Sequence, residues 1–388
     1  MKKFLTTVFF LLLAAMLGAA VFLYTHPAYL TSLGIALPVP VSFEEIDLTP
    51  YEDNWYFGFL DEEEKMDYAV IEQSCESFEA EVVLPKALDH DALTSVVRSL
   101  AYDYPQYRWL NDAYTYTTSF NDKIIAVEFD LDEEDQKEAK TIRTIADDIL
   151  AGMPAGSEYE KYLYLYDSIV DTTVYDADKI DESQHIASVL VDRVSVCAGY
   201  AKTYSYLCDL AGLECVYVTG MGQSSQDEAP QEHAWNLIKL DEQYYWVDIT
   251  WGDPIEPEND SDMKNYNYFC LDDDLFFREH EADEKLGDLI LEYPVCDDNS
   301  YNYYVLNNMY FETYDPAVLS DYITEKIISG NNIIEMEFEN ETDYESFTKA
   351  ISEGTLLADC IYQSQMVFSG ASYIASPKIG ALRIELYN

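Results

Sequence analysis

Three residues, far apart in the chain, are of the types that together run nucleophilic chemistry on a carbonyl. Cys197 lies in Ser195-Val196-Cys197-Ala198-Gly199-Tyr200-Ala201-Lys202, His233 in His233-Ala234-Trp235-Asn236, and Asp248 in Trp246-Val247-Asp248-Ile249-Thr250-Trp251. A thiol attacks as thiolate, so it needs an imidazole to hold its proton and a carboxylate to orient that imidazole. Each residue alone has an ordinary explanation. Most cysteines are buried filler, most strand histidines are structural, and Trp235, Trp246 and Trp251 read as core or cleft-wall aromatics. Only the combination points to chemistry.

The elements that must position the three are legible around them. Ser195 is expected as the N-cap of a helix, with Val196 and Cys197 in its first turn and Gly212 as its C-terminal stop. Lys202, Ser205 and Asp209 form one narrow polar stripe on an otherwise apolar or small surface, which predicts a buried central helix. Its first-turn N–H groups and positive dipole end favour a thiolate at Cys197. Residues 214–219 read as a strand leading into a loop over 220–232. The runs 233–239 and 243–249 then read as the two arms of a hairpin. A two-residue turn at Leu240-Asp241 puts His233 opposite Asp248, and one at Asp241-Glu242 puts the pair on a diagonal; both keep them on one face. A three-residue turn would separate them. A metal site made from Cys197, Cys208, Cys215 and His233 is disfavoured, because eleven residues of helix carry Cys208 about 16 Å from Cys197. Cys208 reads as core.

Around this region the chain of 388 residues divides into further segments. Residues 1–25 read as a signal-anchor, 26–43 as a juxtamembrane linker, 44–150 as an N-terminal α+β domain, 151–292 as the domain carrying the three residues, and 293–388 as a C-terminal α+β region. In the N-terminal domain, helices are predicted over 62–72 and 91–100, and strands over 114–120 and 123–130 with Asn121-Asp122 as a two-residue turn. Helices follow over 132–150 and 157–170, the second with Ser157 and Glu160 at capping-box spacing. The last hundred residues show alternating runs at 303–306 and 333–338, a helix over 343–353 and a final strand over 381–387. Helices and hairpins are segregated, so the class is α+β.

Met1-Lys2-Lys3 precedes an uncharged, mostly apolar run over 4–24, long enough to cross a bilayer as one helix. The lysine pair favours a cytoplasmic N-terminus, so an anchored protein with its C-terminal part outside the cell is expected; cleavage near Gly18-Ala19-Ala20 would give a secreted one. All 74 acidic residues and all but two of the 22 basic ones follow this run, leaving about −54 on the rest. That charge repels nucleic acid and anionic lipid surfaces and predicts a highly soluble exterior. Asp272-Asp273-Asp274 lacks the glycine and distal glutamate of a calcium loop. The seven cysteines are scattered, with no CxxC pair, which argues against zinc and redox motifs and leaves room for one reactive thiol.

The blocks Val196-Cys197-Ala198-Gly199-Tyr200-Ala201, His233-Ala234-Trp235-Asn236 and Trp246-Val247-Asp248-Ile249-Thr250-Trp251-Gly252-Asp253-Pro254 resemble the transglutaminase-like superfamily, within the papain-like cysteine fold. The resemblance covers roughly residues 155–290, with 266–271 and Arg278-Glu279-His280 downstream. The segment before it is more loosely similar to what precedes this domain in exported bacterial relatives. One departure is Ser195, where such proteins often have glycine. The resemblance implies an α+β core with the nucleophile helix packed on an antiparallel sheet, smaller α+β units before and after, and a transmembrane helix in front. It implies acyl transfer from peptide or protein amides, cell-wall peptide among them, through a thioester, with no cofactor and no metal. Cys197 is then the nucleophile, His233 the acid–base and Asp248 its orienting group. Gln184 and the Cys197 backbone N–H are the candidates for stabilising the oxyanion. A surface module that uses the same fold for binding or envelope scaffolding is the competing reading.

Overall fold

The computed structural model describes residues 46–387 apart from 120, 180–182, 224–228 and 254–263. The expected anchor and linker (1–43) lie outside the described residues. Among the described residues no helix is long and apolar enough to cross a membrane.

The N-terminal part packs α1 (Glu62–Glu76) and α2 (His90–Asp103) against an antiparallel sheet of β1 (Glu81–Leu88), β2 (Tyr114–Thr118) and β3 (Ile124–Phe129), ordered β1-β3-β2. Asp61 opens α1 with a reciprocal capping box to Glu64. The β2–β3 connection is longer than the sequence suggests. The Ser119 N–H donates to the Lys123 carbonyl at 2.7 Å, so three residues rather than Asn121-Asp122 alone close the loop. Helix α3 (Glu133–Ala151) follows, and α4 (Glu158–Val170) starts on the Ser157–Glu160 capping box.

The central part holds a short parallel pair, β4 (Val174–Tyr175) and β5 (Val194–Ser195), then helix α5 (Cys197–Leu210). Helix α5 lies on a five-stranded antiparallel sheet of β6 (Cys215–Gly222), β7 (Gln231–Leu240), β8 (Gln243–Val247), β9 (Phe269–Leu271) and β10 (His280–Ala282), in the order β10-β6-β7-β8-β9. A turn of helix, α6 (Asp273–Phe276), links β9 to β10, and a small hairpin, β11 (Lys285–Leu286) and β12 (Leu289–Ile290), comes after it. The core under α5 is aromatic, with Tyr162, Tyr166, Tyr200, Tyr204, Tyr245 and Phe269 all fully buried. Helix α5 ends as read. Gly212 takes a left-handed φ of 69°, while its N–H and that of Leu213 close back on Asp209 and Cys208.

The C-terminal part has α7 (Tyr303–Leu306), β13 (Tyr310–Phe311), α8 (Pro316–Ile328), β14 (Ile333–Phe338), α9 (Glu341–Ser352), α10 (Leu356–Ser364), β15 (Gly370–Ser376) and β16 (Ala381–Tyr387), with sheet order β13-β14-β16-β15. Here the run at 303–306 departs from its alternating pattern. The Asn302 side chain accepts from the N–H groups of Tyr304 and Val305, which caps a helical turn instead of a strand.

Candidate active site

Cys197 is the first residue of α5, but Ser195 does not cap the helix. Val196 is the N-cap and offers no side-chain bond. The Ser195 hydroxyl lies in the short strand before it, within 3.0 Å of the Ser183 carbonyl and 2.7 Å of the Ser188 hydroxyl, tying the chain before α5 to the π-helical turn Ser188–Asp192. The N–H groups of Cys197 and Ala198 therefore have no side-chain cap and, at a helix start, no intrahelical acceptor, whereas that of Gly199 donates to the Val196 carbonyl at 2.9 Å. Gly199 makes this arrangement possible. A Cβ there would stand 2.1 Å from the Ser195 hydroxyl oxygen and 2.8 Å from that of Ser188.

Helix α5 meets the sheet through small residues, Ala198 and Ala201 against Tyr217 and Ala234. The buried Asn236 side chain, from the histidine block, donates to the Ala201 carbonyl at 2.9 Å and so joins helix to sheet. This keeps the helix start beside the His233 end of β7.

The β7–β8 turn is Asp241-Glu242. Both residues have positive φ (47° and 67°), and Leu240 pairs with Gln243. Positive φ at both central positions matches the right-handed twist of the flanking strands. In this register His233 is diagonal to Asp248 on one face, and its Nε2 lies 2.6 Å from Asp248 Oδ2. With Nε2 engaged, Nδ1 is the nitrogen left for the thiol. Cys197 helps to raise the imidazole's pKa, and both residues line one cavity of about 730 Å³. Trp251 stacks on the His233 ring with centroids 5.1 Å apart.

Asp248 has no exposed surface. Its Oδ1 accepts from the backbone N–H groups of Thr250 and Trp251 at 2.9 and 3.1 Å, which explains the tight turn that ends this motif. Its Oδ2 receives two imidazoles, His233 and also His280 Nε2 at 3.0 Å. Burial disfavours the charged forms of both His233 and Asp248, but their mutual attraction wins. His233 is pushed up to about 10, with the thiol adding to the effect, and Asp248 is held well below the usual carboxylate range. His280 goes the other way, lowered by burial against the pull of Asp248.

Gln184 is exposed and lines the cavity that holds Cys197. Lys202, on α5, reaches its backbone carbonyl at 3.1 Å and lies over the Tyr217 ring at 5.5 Å. Burial lowers the Lys202 ammonium to about 8, opposed by the charge of Cys197. Neither Cys208 nor Cys215 is among the described lining residues of this cavity, and Cys208 sits in the aromatic core. All seven cysteines are free thiols.

Two features were not read from the sequence. One is His280, which appeared only as part of a motif block. The other is the N-terminal part as a cavity wall, through Val97, Arg98, Tyr102, Asn111 and Tyr114. It is locked on by the Tyr56 hydroxyl, which donates to the Tyr217 carbonyl at 2.6 Å, and by Tyr102 edge-on to Tyr217 at 4.9 Å. His233, Asp248 and His280 also bring three ligand-type atoms within 4.8 Å of one another, the only such group among the described residues. Both imidazoles already aim at one carboxylate oxygen, so binding an ion would break two hydrogen bonds inside a buried centre.

Residues 143–250 match the family model of the Transglutaminase-like superfamily. This segment belongs to that superfamily. Kyphoscoliosis peptidase of Mus musculus is 29% identical to the chain over 151 residues, 35% of this chain and 22% of that protein. Its Homo sapiens counterpart is 32% identical over 113 residues, 26% of this chain and 17% of that protein. The chain thus spans about a fifth of the length of the curated relatives it matches. A solved TGase structure aligns over 41% of the chain and 49% of its own length, with a TM-score of 0.27 and 16% identity. The transglutaminase-like segment runs from the middle of α3 to just past Asp248, so it contains all three residues and the hairpin that joins two of them.

Proposed function

We propose that this chain is a transglutaminase-like cysteine enzyme that transfers acyl groups from peptide or protein amides through Cys197, His233 and Asp248. The observation that supports the reading is that a thiol at a helix start shares one cavity with an imidazole whose other side is bonded to a carboxylate with no exposed surface. In this reading the Cys197 sulfur adds to the carboxamide carbonyl carbon while His233 holds the thiol proton. His233 then gives that proton to the leaving amine, the C–N bond breaks, and a thioester remains. Water or a primary amine attacks the thioester next. His233 takes the attacker's proton, the C–S bond breaks, and the product is an acid or a new amide. Asp248 holds the tautomer with Nε2–H throughout. Gln184 and the Cys197 N–H are the donors assigned to the oxyanion.

The substrates in this reading are peptides or proteins, including cell-wall peptide. A net charge of −52 argues against nucleic acid. Export with a single N-terminal anchor over 1–25 belongs to the same proposal and is supported by the apolar run and its flanking lysines.

The test is incubation with a glutamine-containing peptide, with and without a labelled primary amine. Hydrolysis or label incorporation is expected, and Cys197→Ala and His233→Ala should each abolish it. Turnover that survives Cys197→Ala refutes the assignment.

A further inference from the structure

His280 is attached to the proposed centre by tertiary structure alone. Strand β10 pairs with β6, setting His280 opposite Gly222, while β6 sets Gly220 opposite His233. Gly220 is what lets β10 come so close, since a Cβ there would stand 2.1 Å from the Glu281 carbonyl oxygen. The His280 side chain has no exposed surface. It stacks on Phe276 with centroids 3.9 Å apart and is flanked by Trp251 at 4.4 Å and Trp235 at 5.0 Å.

Both His280 nitrogens face acceptors, Nε2 to Asp248 Oδ2 at 3.0 Å and Nδ1 to the Phe276 carbonyl at 3.2 Å. A neutral imidazole has one N–H, and an anionic oxygen binds it more strongly than an amide carbonyl does. The proton therefore sits on Nε2, and one buried oxygen is shared by two imidazole N–H groups. The other charged or titratable groups around the ring are His233 on β7, with Cys197 beyond it, and Tyr268 just before β9. Tyr268 donates its hydroxyl to Glu279, which also has Lys378 at 3.9 Å.

We infer that His280 is a positioning residue: by donating Nε2–H to the Asp248 oxygen that also receives His233, it orients the carboxylate and loosens its hold on the His233 proton. This rests on the acyl-transfer reading above. The reason is differential. While His233 is an imidazolium, His280 competes with it for Oδ2. Once His233 has passed its proton to a leaving amine, His280 still supplies a donor to a carboxylate that water cannot reach. Sharing therefore favours the neutral His233 over the charged one, which makes His233 a better acid. Burial keeps His280 itself from becoming a competing cation.

The test is the pH–rate profile of iodoacetamide alkylation at Cys197, followed on its own peptide by mass spectrometry, in the full chain. Cys197→Ala gives the background. Two variants separate packing from hydrogen bonding. His280→Phe keeps a ring for Phe276 and removes both nitrogens, whereas His280→Gln loses the ring and keeps an amide donor. The wild type should react fast at pH 6 and show an upper inflection from His233. In His280→Phe that inflection should move up by about one to two pH units, the size of one hydrogen bond to a charged group. His280→Gln should return it most of the way.

If the wild type reacts fast at pH 6 but the Phe variant matches it, or only the Gln variant shifts, His280 is packing and the inference fails. If the wild type itself reacts slowly at pH 6, the acyl-transfer reading fails and this inference with it. A wild-type measurement serves if either variant is unstable. Nitrogen-15 shifts must put the His280 proton on Nε2, and a proton on Nδ1 overturns the assignment.

Discussion

Replacing Asp248 by Asn removes one charge from the centre and almost no volume, so it isolates the electrostatic part of the site. In the folded protein the His233 imidazolium is opposed by burial and favoured by Asp248 and Cys197, with the balance putting it at about 10. Nε2 and Oδ2 are 2.6 Å apart, and the centres of charge lie somewhat farther. Unit charges about 4 Å apart interact by about 4 kcal/mol at an effective dielectric of about 20. That equals about three pH units, less than the net rise from 6.5 to about 10, so overcoming the burial as well also takes the hydrogen bond to Asp248 and the contribution of Cys197. In Asp248→Asn the opposing burial remains, and His233 should titrate below 6.5. The assay is an NMR titration of the imidazole Cε1–H signals, of which the chain has five, with His233 assigned by its loss in His233→Gln. A midpoint within one unit of the wild type would refute the claim that Asp248 supports the imidazolium.

The same pair makes its own contribution to how stability depends on pH. His233 is raised above its unfolded value, so its contribution is complete below about 6.5 and lost as pH rises through about 10. Asp248 is depressed, so its contribution is present above about 4 and lost as pH falls. The gap in melting temperature between wild type and Asp248→Asn should be widest between about pH 4 and 6.5 and should narrow as pH falls below that range or rises through about 10.

Three further outcomes follow from the geometry. Gly199→Ala forces a Cβ to 2.1 Å from the Ser195 hydroxyl oxygen and should cost about 1–3 kcal/mol in chemical denaturation; adding Ser195→Ala should recover part of it. Lys202→Met removes a buried ammonium that has one hydrogen bond, so the melting temperature should hold or rise, while freeing the Gln184 carbonyl should slow turnover several-fold. Gly220→Ala should push β10 off β6, seen as faster amide exchange at Gly222 and Ala282, and should shift the Cys197 alkylation profile in the direction of His280→Phe.

Cys197, His233 and Asp248 were legible because each sits in a short block whose local structure is set by near neighbours. The turn at Asp241-Glu242 joins strands that are adjacent in the chain, so parity alone put His233 and Asp248 on one face. Gly212 ends α5, and Ser157 starts α4, through contacts spanning a few residues. Ser195 was misread because a serine before a helix is usually a cap, and here a strand takes that hydroxyl toward Ser183, twelve residues upstream. The 303–306 run was misread for the converse reason: its apolar pattern is strand-like, but Asn302 supplies two local bonds that curl it into a helical turn.

What only the tertiary structure decided is which distant elements meet. His280 is 32 residues from its carboxylate, and it reaches Asp248 because the sheet is ordered β10-β6-β7-β8-β9, an order that no periodicity encodes. The cavity wall on the thiol side comes from α2 and β2, more than eighty residues before the cysteine they face. The amino-acid pattern determines the three groups and their local geometry, since backbone dihedrals and strand parity act over a few residues. The fourth group and the cavity come from burying apolar surface between elements remote in the chain, and that burial is settled by the fold as a whole.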